Sequence, residues 1–404
     1  MRMSSFSRAS LVVAGAAMAI AACGSTSSSS SGGSSGSTSA STPVVTAASF
    51  NRNFTAMSSL SSLAAKGKGL VAAILPDTVS SARYTEFDAP FLTKAFQLAG
   101  LKSNQYIVEN AQGSDATELS MAQSAISRGA SVIIFDPLDS GVGVEIEKYA
   151  AQHGVRVINY DRLTLGSSPS DYYVSFNNVR VGQLIGQGFV ACVAAWHVTH
   201  PNVLVMRGAP TDNNATLFAE GYDSVIDPYF KSGKWTLVGT PPGTWTPSVA
   251  LTEFQQMYTA HPNINAVVTP NDENAAPIIS YLQSLHIAPK TIPFTGQDAT
   301  LQGLQNILAG YQCGTVYKPI YQEAQAAVSL ALYLRAGKTP PAALLNGTTH
   351  DPVSGNNIPS VLLTPEWVTT KNMASTVIAD NFVPASQLCS GTYASACAAA
   401  GIKA

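Results

Sequence analysis

Polar clusters stand just past a series of apolar runs in this 404-residue chain. Asp77 follows Leu70–Leu75, and Asp161-Arg162 follows the run 155–160. Asp212-Asn213-Asn214 lies beyond 203–206, Asn271-Asp272 beyond 266–268, and Gln297-Asp298 beyond 292–295, while Lys318 closes 315–317. These side chains are carboxylates, amides and cations, with no His or Cys among them. Such a set suits a neutral polyol better than a metal ion or a nucleophilic reaction. Trp245, in the Pro/Gly-rich stretch 241–247, offers a flat apolar wall of the kind that fits the C–H face of a sugar ring.

The elements that carry these residues read as alternating strands and helices. Leu70–Leu75 is continuously apolar, as strands buried on both faces are. Asp88 stands where a helix N-cap belongs, with Pro90 in the first turn and Gly100 as the stop. Further strands are expected at 105–109, 131–135 and 155–160, with helices at 118–128 and 141–152, and 171–176 reads as an extended crossover. A second run places strands near 202–206, 234–239, 264–269, 291–295 and 313–317. The helix near 320–336 comes after that sheet is complete, so its simplest place is back on the first lobe. The expected fold is α/β, with two doubly wound parallel-sheet lobes. In open parallel sheets ligands bind outside the carboxyl ends of the strands, so the polar clusters of both lobes converge on one cleft. The expected boundaries are 68–175 with 319–345 for lobe 1 and 176–318 with 350–385 for lobe 2. Residues 44–67 form an N-terminal extension and 386–404 a C-terminal tail.

Competing chemistries find little support. No Gly-x-Ser-x-Gly elbow follows a strand, and no phosphate-binding loop with Lys-Ser/Thr occurs, so neither an enzyme nor a cofactor is expected. His197 and His200 form a His-x-x-His pair without a third ligand in reach, and Asp136-Pro137 reads as a turn, so no metal is expected. The formal net charge is −2 and there is no basic stripe, which argues against nucleic acid.

The N-terminus points to the compartment. Arg2 and Arg8 precede a short apolar run, 11–22, that is too brief to span a bilayer, which needs about 20 residues. Residues 1–22 therefore read as a signal peptide, and Cys23 after Ile20-Ala21-Ala22 looks like the lipidated cysteine of a bacterial lipobox. Residues 23–43 supply that cysteine and a Ser/Gly-rich tether of flexible composition. The expected location is extracytoplasmic, lipid-anchored to the outer face of the cell membrane. Cys389 and Cys397 are expected to form a disulfide there, whereas Cys192 and Cys313 either pair or stay single.

Several of these residues together resemble a known family. The segments are Tyr160-Asp161-Arg162, Tyr173 to Asn178, Asp212-Asn213-Asn214-Ala215, Asn271-Asp272, Gly296-Gln297-Asp298-Ala299 and Thr315 to Pro319. In order and spacing they are similar to the D-xylose-binding proteins of sugar ABC transporters, over roughly residues 68–385. The resemblance implies a type I periplasmic-binding-protein fold with a three-strand hinge, closing on a pyranose. It also implies that Arg83, Asp161, Arg162, Asn213, Asn271, Asp298 and Lys318 bond the sugar's oxygens, with Gln297 beside them. Tyr84 and Trp245 would sandwich the ring. Two positions depart from the family pattern: Tyr84 stands where Trp is frequent, and Asn177 where Asp is. The expected partners are a monosaccharide, first a pentose, and an ABC permease, with the chain as a monomer. The alternative is a lipoprotein that reports sugar to a membrane receptor.

Overall fold

The computed structural model describes residues 44–166 and 172–403. The expectations for the signal peptide, Cys23 and the tether lie outside them. The strands are β1 (Leu70–Leu75), β2 (Tyr106–Asn110), β3 (Ala130–Phe135), β4 (Arg156–Tyr160), β5 (Tyr172–Phe176), β6 (Asn202–Val205), β7 (Thr236–Gly239), β8 (Ala266–Val268), β9 (Thr315–Tyr317), β10 (Gly347–His350), β11 (Asn357–Leu363) and β12 (Glu366–Val368). Two short helices, α1 (Thr55–Ser59) and α2 (Ser61–Lys66), precede β1. The crossover helices are α3 (Ala89–Leu98), α4 (Asp115–Ser127), α5 (Ser140–Gln152), α6 (Asn178–Ala195), α7 (Asn213–Lys231), α8 (Pro247–Ala260), α9 (Asp272–Ser284), α10 (Leu301–Ala309) and α11 (Ile320–Arg335). The tail carries α12 (Ala385–Leu388) and α13 (Ala394–Ala399).

The first lobe is built on a seven-stranded sheet in the order β10-β11-β5-β4-β3-β1-β2. Every pairing in it is parallel except β10 with β11. The continuous apolar run of β1 explains its central place. Val71, Ala73 and Leu75 enter the core on one face, whereas Ala72 and Ile74 enter the core on the other. Full burial of each such Val, Leu or Ile side chain contributes about 1.5–3 kcal/mol. The second lobe has the parallel set β7-β6-β8, and single parallel bridges, Val267 to Phe294 and Gln297 to Val316, continue it toward the β9–β12 pair. Residues 291–295 thus form one bridge where a strand was expected, because Pro293 has no N–H to donate to a ladder.

The chain passes between the lobes three times: from β5 to α6, from β9 to α11, and from β11 to β12. Strand β11 pairs in parallel with β5, so residues 357–363 continue the first sheet, contrary to the boundary expected from sequence for 350–385. Helix α11 is buried against α3 and the first sheet. In the second lobe, α6 and α7 approach so closely at Gly182 and Gly221 that a Cβ on Gly182 would sit 2.0 Å from the Phe218 carbonyl oxygen. Phe50, Phe54, Met57 and Leu60 of the extension are buried in the main core. Disulfides join Cys192 to Cys313 and Cys389 to Cys397.

Candidate functional site

The parallel strands of both lobes end at one cavity, with about 310 Å³ of empty space that is partly open to solvent. Nine residues anticipated from sequence line it: Arg83, Tyr84, Asp161, Arg162, Trp245, Asn271, Gln297, Asp298 and Lys318. Asn213 does not. It lines a separate groove with Arg180 and Glu220, and Asn214 takes the place expected for it. The reason is helical geometry, since successive residues in the first turn of α7 point about 100° apart.

The loop after β1 is shaped by Asp77, whose Oδ1 accepts the N–H groups of Val79 and Ser80 at 2.7 Å each. It delivers Arg83 to a π-helical turn, Tyr84–Asp88, of a kind frequent at functional sites. The buried Arg83 guanidinium gathers three carboxylates. Nε and one terminal nitrogen grip Asp88 at 2.9 and 2.8 Å, that same nitrogen donates to Glu323 at 2.6 Å, and the other donates to Asp161 at 2.9 Å. Asp88 stands at the N-cap position of α3, but its carboxylate turns inward to Arg83 and to the Tyr160 hydroxyl (2.5 Å) and makes no cap bond. One cation among three acids leaves excess negative charge. Burial, only partly offset by Arg83, pushes the Glu323 carboxyl up to about 8.

Asp161 is the opposite case. Burial opposes its charge, but Arg83, Lys318 and Arg162 outweigh burial and hold its pKa at about 2. Its backbone is in the left-handed region (φ 56°), and its carbonyl accepts from the Tyr173 hydroxyl at 2.7 Å and from Asn214 at 2.9 Å. The Tyr84 hydroxyl donates to Asp161 Oδ2 at 3.0 Å, and the guanidiniums of Arg83 and Arg162 lie 5.5 and 5.7 Å from the centre of its ring.

Arg162 is held loosely by contrast. Its Nε is 3.5 Å from Asp212 and 3.7 Å from Asp136, and its terminal nitrogens reach the Pro137 carbonyl and the Ser80 hydroxyl at 3.4 Å each. None of these contacts reaches good hydrogen-bond length, so the guanidinium keeps donors for a ligand. Asp136 is fully buried behind it, where burial raises its pKa well above the ordinary range. The turn expected at Asp136-Pro137 therefore hides a carboxylate that faces Arg162.

The second lobe supplies the remaining wall. Asp212 caps α7 through Asn214 N–H and accepts the Trp245 indole N–H at 2.9 Å. Gly208 packs against the indole so closely that a Cβ would sit 2.2 Å from the ring. Asp298, also in the left-handed region (φ 88°), pairs with Lys318 Nζ at 2.9 Å. Burial works against the Lys318 charge, but Asp298 and Asp161 raise its pKa above the usual lysine value. Gln297 Oε1 is buried without a hydrogen-bond partner among the described residues. The cationic liners, Arg83, Arg162 and Lys318, balance the anionic liners, Asp161, Asp212 and Asp298. A balanced cavity favours a neutral ligand with many hydroxyls. Sequence reading did not single out Ser80, Ser81 or Phe218 of the lining, nor the supporting Glu323. Ser80 and Ser81 lie three and two residues before Arg83, which was the available signal.

The periplasmic binding protein domain family matches residues 72–339. The D-xylose-binding periplasmic protein of Escherichia coli (strain K12) is 35% identical over 81% of this chain and 96% of its own length. The multiple sugar-binding periplasmic receptor ChvE of Rhizobium radiobacter is 30% identical over 80% of this chain and 93% of its own. A carbohydrate transporter solute-binding protein from Chloroflexus aurantiacus, solved in complex with D-glucose, superposes with a TM-score of 0.70 at 25% identity, covering 79% of this chain and 98% of that one.

Proposed function

We propose, for a chain that belongs to the periplasmic binding protein family, that it captures a pentose, D-xylose first, and delivers it to an ABC-transporter permease. Capture is by lobe closure, without chemistry. The observation that carries this reading is the charge-balanced cavity fed by strand ends of both lobes, with the Trp245 indole on one side. Hydrogen bonds to charged groups are the stronger ones, and Arg162, Lys318 and Asp298 each have capacity left for hydroxyls. The family is one of binding proteins, which supports binding rather than catalysis. The lipobox sequence at Cys23 supports a membrane anchor.

A sensory role is the second reading, favoured by the similarity to a periplasmic receptor. Both readings share the same sugar-binding step. A thermal-shift panel of pentoses and hexoses tests that step, because a ligand at 100 times its dissociation constant stabilises the fold by about 2.7 kcal/mol. D-xylose is expected to raise the unfolding midpoint most. A panel with no shift for any monosaccharide contradicts the reading.

A further inference from the structure

Glu273 stands in the first turn of α9, beside the cavity but not in its lining. Its carboxylate faces the loop 80–82 of the opposite lobe. Oε1 accepts the Ala82 N–H and the Ser81 hydroxyl at 3.0 Å each, and Oε2 accepts from Asn271 at 3.0 Å. Those two contacts to Oε1 cross the cleft, and the loop they hold leads directly into Arg83 and Tyr84.

Ser81 has a second candidate acceptor. Its hydroxyl lies 3.1 Å from Asp298 Oδ2, so oxygens of two carboxyl groups compete for one proton. While the proton points to Asp298, it occupies an oxygen that a ligand hydroxyl would use. When a ligand hydroxyl donates to Asp298, Ser81 can turn to Glu273 and lose nothing. The exchange commits Ser81 to the inter-lobe contact at the moment the site is filled.

We infer that Glu273 is a positioning residue that ties sugar capture at Asp298 to retention of the closed lobes through Ser81 and Ala82. The inference rests on the sugar-binding reading above. Glu273 does not touch the sugar. It acts on how long the loop carrying Arg83 and Tyr84 stays against the second lobe. Its removal therefore speeds release and leaves the encounter step alone.

The test is stopped-flow binding by the full chain of D-xylose or D-glucose, whichever binds, for the unaltered protein, Glu273→Ala and Glu273→Gln. Loss of the two hydrogen bonds that Glu273 accepts across the cleft predicts about tenfold faster dissociation in Glu273→Ala, with an unchanged association rate. The unfolding midpoint of the ligand-free variant should match that of the unaltered protein. Glu273→Gln keeps an acceptor facing Ala82 and Ser81 and should recover most of the slow release, which a merely structural role does not predict. Unchanged release in Glu273→Ala, or equal acceleration in both variants, overturns the inference while sugar binding stands. Failure of the unaltered protein to bind either sugar overturns the sugar reading and the inference with it.

Discussion

Replacing Asp298 with Ala removes two things at once. The first is a charged acceptor for ligand hydroxyls, worth about 1.5–3 kcal/mol for one hydrogen bond to a charged group. The second is the partner of Lys318, whose side chain is 4% exposed and whose nitrogen sits 2.9 Å from Asp298. Leaving a buried charge unpaired costs about 3–5 kcal/mol, part of which falls on folding stability rather than binding. Asp161 still attracts Lys318, as its influence on the lysine pKa shows, so the charge is not abandoned entirely. The binding loss is therefore expected to lie near the hydrogen-bond value, about 10–150-fold in Kd. Asp298→Asn keeps the size and one acceptor but not the ion pair, and should fall between the two. Calorimetric titration with D-xylose gives the affinities, and thermal unfolding without sugar separates the stability cost. An Asp298→Ala protein that binds with unchanged affinity would refute the placing of Asp298 at the centre of the site.

The remaining expectations follow from neighbouring contacts. Trp245→Ala removes the flat wall and leaves Asp212 without the indole N–H, so the affinity for every pentose tested should drop at least about tenfold, whereas Trp245→Phe keeps part of it. Glu323, raised to about 8 chiefly by burial, holds a proton in the folded state that it loses in the unfolded state near the usual glutamate value. Its contribution to stability is thus fully present below about pH 4.3 and is lost as the pH rises through about 8. Glu323→Gln, which mimics the protonated form, should flatten urea-unfolding stability across that window, and an unaltered pH slope would contradict the assignment. Cys23→Ala should release the protein from the membrane fraction or leave it unprocessed, as fractionation and mass spectrometry would show, and normal cleavage with retention on the membrane would contradict the lipobox reading.

The alternation of apolar runs and capped helices made the α/β architecture legible, because buried parallel strands such as Leu70–Leu75 must be apolar on both faces. The site was legible for a topological reason: strand ends gather wherever the sheet is parallel, so Asp161, Asn271, Asp298 and Lys318 could be anticipated without side-chain detail. What sequence concealed is rotation and support. Asn213 and Asn214 are chemically alike, and only the phase of α7 decides which one reaches the cavity. Asp88 carries an N-cap's signature, yet a buried arginine from the preceding turn claims its carboxylate. Glu323 lies on a helix that packs from far along the chain, and its bond to Arg83 spans 240 residues. The positive φ of Asp161 and Asp298 is set by surrounding structure, and no local motif announces it.

The pentose reading is tested most directly by calorimetric titration of the purified full chain with D-xylose and, separately, D-glucose. The two sugars differ by one exocyclic hydroxymethyl group, which on the pentose reading would either displace a wall or leave a polar atom unpaired in a cavity with the Trp245 indole among its lining. The account predicts saturable one-to-one binding of D-xylose, with D-glucose weaker by roughly 1–3 kcal/mol, about 5–150-fold. Equal affinity for the two sugars, or tighter binding of D-glucose, would contradict it.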